Sequence, residues 1–409
     1  MFRNVFPEAA DAPVPDYEFD PERLSSALDA VHRAGMPGIV AEVREDDRTW
    51  RGAAGVADVG TRRPVTADMP QRVGSITKTF TAAAVMLQVE QGRIGLDLPI
   101  GDYLPRLVPG ERGRETTVRM LLDNTSGIPE YLFSAFPSLR GFPAGDSPTR
   151  SLDDNRFRRF APEELIAMGL AAPAAGRPGG RPGIYSNANY LLLGELLALV
   201  TGMSAEECIT RTVIERAGLQ HTSFPAGPRL DRPHPRMYEA LYGAIDPPRD
   251  YSVYDMSWVG TGAALVSTPA DLNRFYRLLL AGEIVGPSSL ARMQRTGPVT
   301  AQDGQSVIDY GLGLHRVEIP GHGAFWGHDG TVWGAQAISL TSADGRRQMT
   351  VAMNLVRWGR PGSPDGHPID AALAAFYRQA LCGTPPPRPT AEDGGQPNVT
   401  CAGPGSDGR

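Results

Sequence analysis

Val73-Gly74-Ser75-Ile76-Thr77-Lys78-Thr79-Phe80 holds the only lysine of the 409-residue chain. Lysine and arginine together number 40, so every other fixed side-chain cation is a guanidinium. A guanidinium stays protonated at any accessible pH, whereas an ammonium loses its proton when buried. Drift toward arginine in a GC-rich genome accounts for the arginines and leaves the surviving lysine unexplained. Lys78 follows Ser75 by three residues at the start of an apolar run, and reads as a position whose side chain must deprotonate. Ser75 to about Gln91, rich in Ala, Val, Met and Leu and closed by Gly92, is expected to be a helix. Ser75 and Lys78 then lie one turn apart on one face. The free N–H groups at the helix start favour negative charge developing on Ser75.

The rest of the chain bounds the class. A length of 409 residues suffices for a large core and two lobes. A hydrophobic content of 41% with 21% charged residues is that of a soluble enzyme. A net charge of −6 without a basic block argues against nucleic acid or an anionic membrane as partner. Residues 1–20 carry no apolar segment of the secretory kind, so a cytoplasmic location is expected. The longest apolar run, Tyr190 to Val200, is broken by Glu195 and too short to span a bilayer. Cys208, Cys382 and Cys401 are odd in number and far apart, unlike a disulfide framework.

Asp20-Pro21-Glu22 signals a helix start, with Leu24, Leu28 and Val31 on the buried face. Gly38 to Arg44 and Thr49 to Ala57 read as a hairpin turning at Glu45-Asp46-Asp47-Arg48. Phe133 to Ala161 reads as a loop-rich excursion on the pocket rim. Helices are expected from Pro162 to about Ala171, opening at Tyr185-Ser186-Asn187 through Leu197, and over Pro269–Ala281. Strand-like runs follow at Tyr310–Val317, Ala324–His328, Ala335–Leu340 and Met349–Asn354, then a helix over Ile369–Leu381. The expected organisation is an N-terminal extension (1–20), an α/β lobe (21–70 and 255–383), a mostly helical lobe (71–254) and a disordered tail (384–409).

Ser75-x-x-Lys78 resembles the first signature of the serine β-lactamases and penicillin-binding proteins. Two further signatures follow in order: Tyr185-Ser186-Asn187 as Tyr-x-Asn, and His328-Asp329-Gly330-Thr331 in place of a Lys/His-Thr/Ser-Gly strand motif. Leu-Asp-x-Pro-Ile at 96–100 and the run from Met120 to Pro129 resemble the same family, although Asn124 stands where members usually carry His. The tyrosine form of the second signature, with Tyr310-Gly311-Leu312-Gly313-Leu314, is similar to the branch of class C β-lactamases and actinomycete D-Ala-D-Ala carboxypeptidases, with related esterases and transacylases. The resemblance covers residues 21 to 383. It implies a β-lactamase/transpeptidase-like α/β (α+β) fold: an antiparallel sheet flanked by terminal helices, plus an all-helical lobe.

The resemblance also implies roles. Ser75 Oγ would be the nucleophile and Lys78 its base, which requires the lysine pKa to fall from ~10.4 toward ~7–8, a cost of about 4 kcal/mol. Tyr185 would shuttle the proton to the leaving group, and Asn187 would bind the substrate amide. His328 would orient the Tyr185 edge of the site, and the backbone N–H groups of Ser75 and Thr331 would form the oxyanion hole. Substrate contacts would come from Asp329, Gly330 and His315, the last standing where relatives place a strand arginine. Phe136 and Trp258 would be aromatic pocket walls, although taken alone both read equally as core. Tyr185 and His328 taken alone would be a packing tyrosine and a satisfied strand histidine. His32, His221, His234 and His367 lack metal-ligand spacing, so neither metal nor other cofactor is expected.

The reaction expected is acyl transfer through Ser75 from a small-molecule or peptide amide, ester or thioester to water or an amine. D-Ala-D-Ala carboxypeptidase, β-lactamase, esterase, biosynthetic transacylase and peptide-releasing thioesterase all fit it. A non-catalytic peptide-binding relative is the competing class. It is disfavoured because all the reacting side chains are present. With Asp329 and His315 lowering the positive potential at the third motif, the substrate's departing side is expected to lack a free carboxylate.

Overall fold

The protein is described by a computed structural model covering residues 19–141, 149–357 and 366–383. The expected disordered tail and nearly all of the N-terminal extension lie outside the described residues.

Helix α1 (Pro21–Arg33) begins where Asp20 Oδ1 accepts from the backbone N–H groups of Glu22 and Arg23, and it buries Leu24, Leu28 and Val31. Strands β1 (Gly38–Glu45) and β2 (Arg48–Asp58) form the expected hairpin, in register from Gly38 opposite Gly55 to Glu45 opposite Arg48. A ten-stranded sheet is completed by β3 (Arg63–Pro64), β4 (Gly183–Ile184), β5 (Gly297–Thr300), β6 (Val307–Tyr310), β7 (His315–Ile319), β8 (Gly323–Val332), β9 (Ala335–Ser342) and β10 (Arg347–Met353). Their spatial order is β3-β2-β1-β10-β9-β8-β7-β6-β5-β4. All pairs are antiparallel except the terminal β4–β5 pair. The N-terminal hairpin thus joins the C-terminal strands through β1 against β10, which closes the sheet between the two ends of the chain.

On one face α1 packs against the C-terminal helix α5 (Pro368–Cys382), burying Leu24, Leu28, Phe376 and Tyr377 with Met349 and Val351 of the sheet. On the other face lies the larger core. It contains α2 (Thr77–Glu90), α3 (Asn187–Thr201) and α4 (Pro269–Leu280), together with the short helices between them. Apolar residues encircle α2 because it is covered on all sides, with every residue from Thr77 to Gln88 buried.

Two expectations need correction. The run Tyr310–Val317 is not one strand: the chain breaks after Tyr310, where Gly313 adopts φ +72°, and resumes at His315. An added Cβ on Gly313 would lie 2.5 Å from Ala82 Cβ, so this bend is seated directly on α2. The helix expected from Ser75 starts instead as a single 3₁₀ turn, Gly74–Ile76, before α2. Ser75 therefore sits on a tight entry turn rather than in the helix body.

Candidate active site

Three chain segments converge at Ser75. The first is its own 3₁₀ turn, which packs on β8 so closely that both contact positions must be glycine. An added Cβ on Gly330 would lie 2.0 Å from the Val73 carbonyl oxygen and 2.5 Å from the Ser75 nitrogen. One on Gly74, whose φ is +57°, would lie 2.5 Å from the Thr331 nitrogen. This contact sets the Ser75 and Thr331 backbone N–H groups side by side, the arrangement an oxyanion hole requires.

The second segment is α2, which projects Lys78 beneath the serine. Lys78 Nζ lies 3.0 Å from Ser75 Oγ, 2.6 Å from Asn187 Oδ1 and 3.0 Å from the Gly262 carbonyl oxygen. The side chain is fully buried. Burial pulls its pKa down to about 7, against the opposing pull of the Glu130 and Asp329 carboxylates.

The third segment is the Tyr185-Ser186-Asn187 link between β4 and α3. Lys78 Nζ lies 4.9 Å from the centre of the Tyr185 ring. Burial holds the tyrosine hydroxyl protonated, its pKa well above the usual value, with the Ser75 side chain as a hydrogen-bonding neighbour. Asn124 explains how this link is held. It occupies the left-handed region at φ +58°, which asparagine tolerates. Its Oδ1 accepts from the Ser186 backbone N–H at 3.2 Å and from Asn189 Nδ2 at 2.9 Å, while its carbonyl accepts from Ile184 N–H at 2.9 Å. The departure from histidine at 124 thus serves as a clamp on the second signature.

Glu130 was not anticipated. Its Oε2 accepts from the backbone N–H and from Nδ2 of Asn187, at 2.8 and 2.9 Å. Its Oε1 accepts from Tyr131 N–H and Leu132 N–H, at 2.9 and 3.1 Å. Loss of solvent raises its pKa, and the Lys78 charge opposes that. It stands immediately after the Met120–Pro129 run, so an acid placed there was the available signal.

Asn187 is engaged within the protein by Lys78 and Glu130 and so positions the lysine, in addition to the substrate-amide role expected of it. His328 lies at the Tyr185 edge of the site, its ring 6.5 Å from that of Tyr185. Its Nε2 lies 3.1 Å from Tyr310 Oη and its Nδ1 faces the Asp329 carbonyl, and the Tyr310 ring in turn meets Tyr185 edge-on at 5.9 Å. Burial holds its imidazole neutral, with a pKa well below the usual value.

His315 Nδ1 lies 3.2 Å from Asp329 Oδ1, so the two substitutions in the third motif face each other. Burial lowers the His315 pKa despite the carboxylate, and its Nε2 is buried without a partner. Among the described residues, His315, His328 and Asp329 bring ligand atoms within 4.8 Å of one another. Those atoms are largely engaged with one another and with Tyr310. Phe136 and Trp258 are buried, 2% and 6% exposed, and pack with the less buried Trp333, which was not anticipated.

The beta-lactamase family model matches residues 24–375. Penicillin-binding protein 4* of Bacillus subtilis is 25% identical over 327 residues, 78% of this chain and 68% of the relative. A D-aminopeptidase of Cereibacter sphaeroides is 25% identical over 337 residues, 82% of this chain but 60% of its own length, so the chain spans only about three-fifths of that relative. A D-stereospecific amidohydrolase from a Streptomyces species superposes with a TM-score of 0.75 at 29% identity, covering 90% of this chain and 100% of that one. The fold is shared with a D-amino acid amidase from Ochrobactrum anthropi, with a TM-score of 0.73 at 22% identity over 89% of this chain and 99% of the amidase. With its matched span and with the serine, lysine and tyrosine brought together in one cleft, the chain belongs to the beta-lactamase family of serine acyl hydrolases.

Proposed function

We propose that the chain cleaves the amide bond of a D-configured amino-acid residue carrying a free amine, as an aminopeptidase or amidase, through a Ser75 acyl-enzyme. The observation that carries this reading is the charge around the nucleophile. One carboxylate, Glu130, flanks Lys78 and Asn187, and a second, Asp329, replaces the hydroxyl of the third motif. Two carboxylates suit a cationic substrate and oppose the terminal carboxylate that a D-Ala-D-Ala carboxypeptidase must bind. The D-configuration is supported by two proteins this chain resembles, a D-aminopeptidase and a D-stereospecific amidohydrolase.

In this reading neutral Lys78 takes the Ser75 proton as Oγ attacks the carbonyl. The Ser75 and Thr331 N–H groups hold the oxyanion, and Tyr185 passes a proton to the departing amine. Water resolves the acyl-enzyme. An amine competes for it where one is present, and Asp329 favours that acceptor, which makes acyl transfer the second reading.

The test compares kcat/KM for D-alaninamide, N-acetyl-D-alaninamide and N-acyl-D-Ala-D-Ala. The free amine is expected to be preferred by at least a hundredfold over both. Preferential cleavage of N-acyl-D-Ala-D-Ala would overturn the proposal and restore the carboxypeptidase reading.

A further inference from the structure

Away from Ser75, a cleft of 610 Å³ lies between the β1–β2 hairpin and α4, lined among others by Arg44, Arg51, Arg274, Arg277, Gln348 and His221. Arginines elsewhere on the surface are commonly matched to acids, as in Arg119–Asp97 at 2.7 Å and Arg346–Asp46 at 2.7 Å. Among the described residues, Arg44, Arg274 and Arg277 have no carboxylate within 4.0 Å.

The acids of the cleft are already committed. Glu42 accepts from Arg51 Nε at 2.7 Å and from Asn273 Nδ2 at 3.0 Å. Asp271 accepts from His221 N–H at 2.7 Å and Thr222 Oγ1 at 2.8 Å, and Asp68 accepts from Thr66. Burial lowers the Arg277 pKa, and the neighbouring charges of Arg44 and Arg274 lower it further. Crowded like charges without counterions cost stability, and an anion would relieve that cost.

Two polar atoms of residues that line the cleft are buried without partners: Arg277 Nε, a donor, and Gln348 Oε1, an acceptor. The Gln348 amide is oriented by its own network, since Nε2 donates to the Asn273 carbonyl at 2.9 Å and to Thr341 Oγ1 at 3.0 Å. The unused groups therefore ask for an acceptor-rich anion beside a hydroxyl donor.

We infer that this cleft binds a small hydroxylated phosphate monoester, its phosphoryl group held by Arg277, Arg44 and Arg274 and a hydroxyl directed at Gln348 Oε1. Arginine forks match phosphate oxygens in geometry as well as charge. The site is separate from the catalytic centre: neither Ser75, Lys78 nor Tyr185 lines it.

Isothermal titration calorimetry of the full chain with glycerol 3-phosphate, inorganic phosphate and glycerol tests this. Glycerol 3-phosphate is expected to bind one to one and at least fivefold tighter than inorganic phosphate, with no heat from glycerol alone. Arg277→Gln and, separately, Arg44→Gln are each expected to weaken it at least tenfold, with melting temperatures confirming folded protein. Absence of binding, or unchanged affinity in a folded Arg44→Gln, would overturn the site. Equal affinity for phosphate and its glycerol ester would overturn the role given to Gln348.

Discussion

Of the three atoms around Lys78 Nζ, only Ser75 Oγ, 3.0 Å away, carries a proton to give. Asn187 Oδ1 and the Gly262 carbonyl only accept. A neutral amine with two N–H bonds committed to those acceptors turns its lone pair toward the serine. The geometry therefore selects the proton to be moved, and the lowered pKa makes the neutral amine available near pH 7.

Lys78→Arg keeps the charge and removes the base, because guanidinium does not deprotonate. Turnover of an activated ester is expected to fall below a hundredth of the parent rate while the circular dichroism spectrum is retained. More than a tenth of the parent rate would show that another group accepts the Ser75 proton.

Glu130 offers a pH test whose sign is fixed. The proposed mechanism uses neutral Lys78, so kcat/KM should rise with pH through about 7. The Glu130 carboxylate opposes the lowering of the lysine pKa, so removing its charge in Glu130→Gln should move the rising limb to lower pH, by roughly one unit. The two groups titrate as a pair, so the parent limb belongs to both. A limb that stays in place or moves upward would deny Glu130 an electrostatic role.

The fold and the reacting trio were legible because each left a local mark: the N-cap at Asp20, the hairpin alternation, and the lone lysine three residues after Ser75. Glu130 left only its place after the Met120–Pro129 run, because its importance comes from meeting Asn187, 57 residues away. The true partner of His328 was hidden for a similar reason: Tyr310 was quoted as part of a glycine-rich phrase, whereas the break at Gly311–Leu314 turns it under the histidine. Asn124 was visible as a departure, and only its φ of +58° and its bond to Ser186 give it a reason.

Gly330→Ala tests the oxyanion hole without touching a reacting side chain. The methyl group would collide with the Val73 carbonyl at 2.0 Å and force the Ser75 turn away from Thr331. Loss of one preorganised donor costs about 2.7–4 kcal/mol, or roughly a hundred- to a thousandfold in kcat. KM for a small amide should change much less. A kcat within tenfold of the parent would show that the two N–H groups do not act together.

On the proposed reading, Asp329 sets what the departing side of the substrate can carry. His315 faces it at 3.2 Å but is held neutral by burial, so the pair keeps the carboxylate's negative charge. A substrate carboxylate about 4 Å from it would be repelled by ~1 kcal/mol in water and ~4 kcal/mol at an effective dielectric of 20. The Asp329 side chain is 32% exposed, which places the penalty between those limits and makes a tenfold discrimination the expected floor. The parent enzyme should therefore cleave a D-alanyl-D-alanine peptide amide at least tenfold faster than the free acid, and Asp329→Thr should narrow that ratio toward one. Rapid cleavage of the free acid by the parent, unchanged in Asp329→Thr, would mean that the substrate carboxylate lies elsewhere and that the third motif does not exclude it.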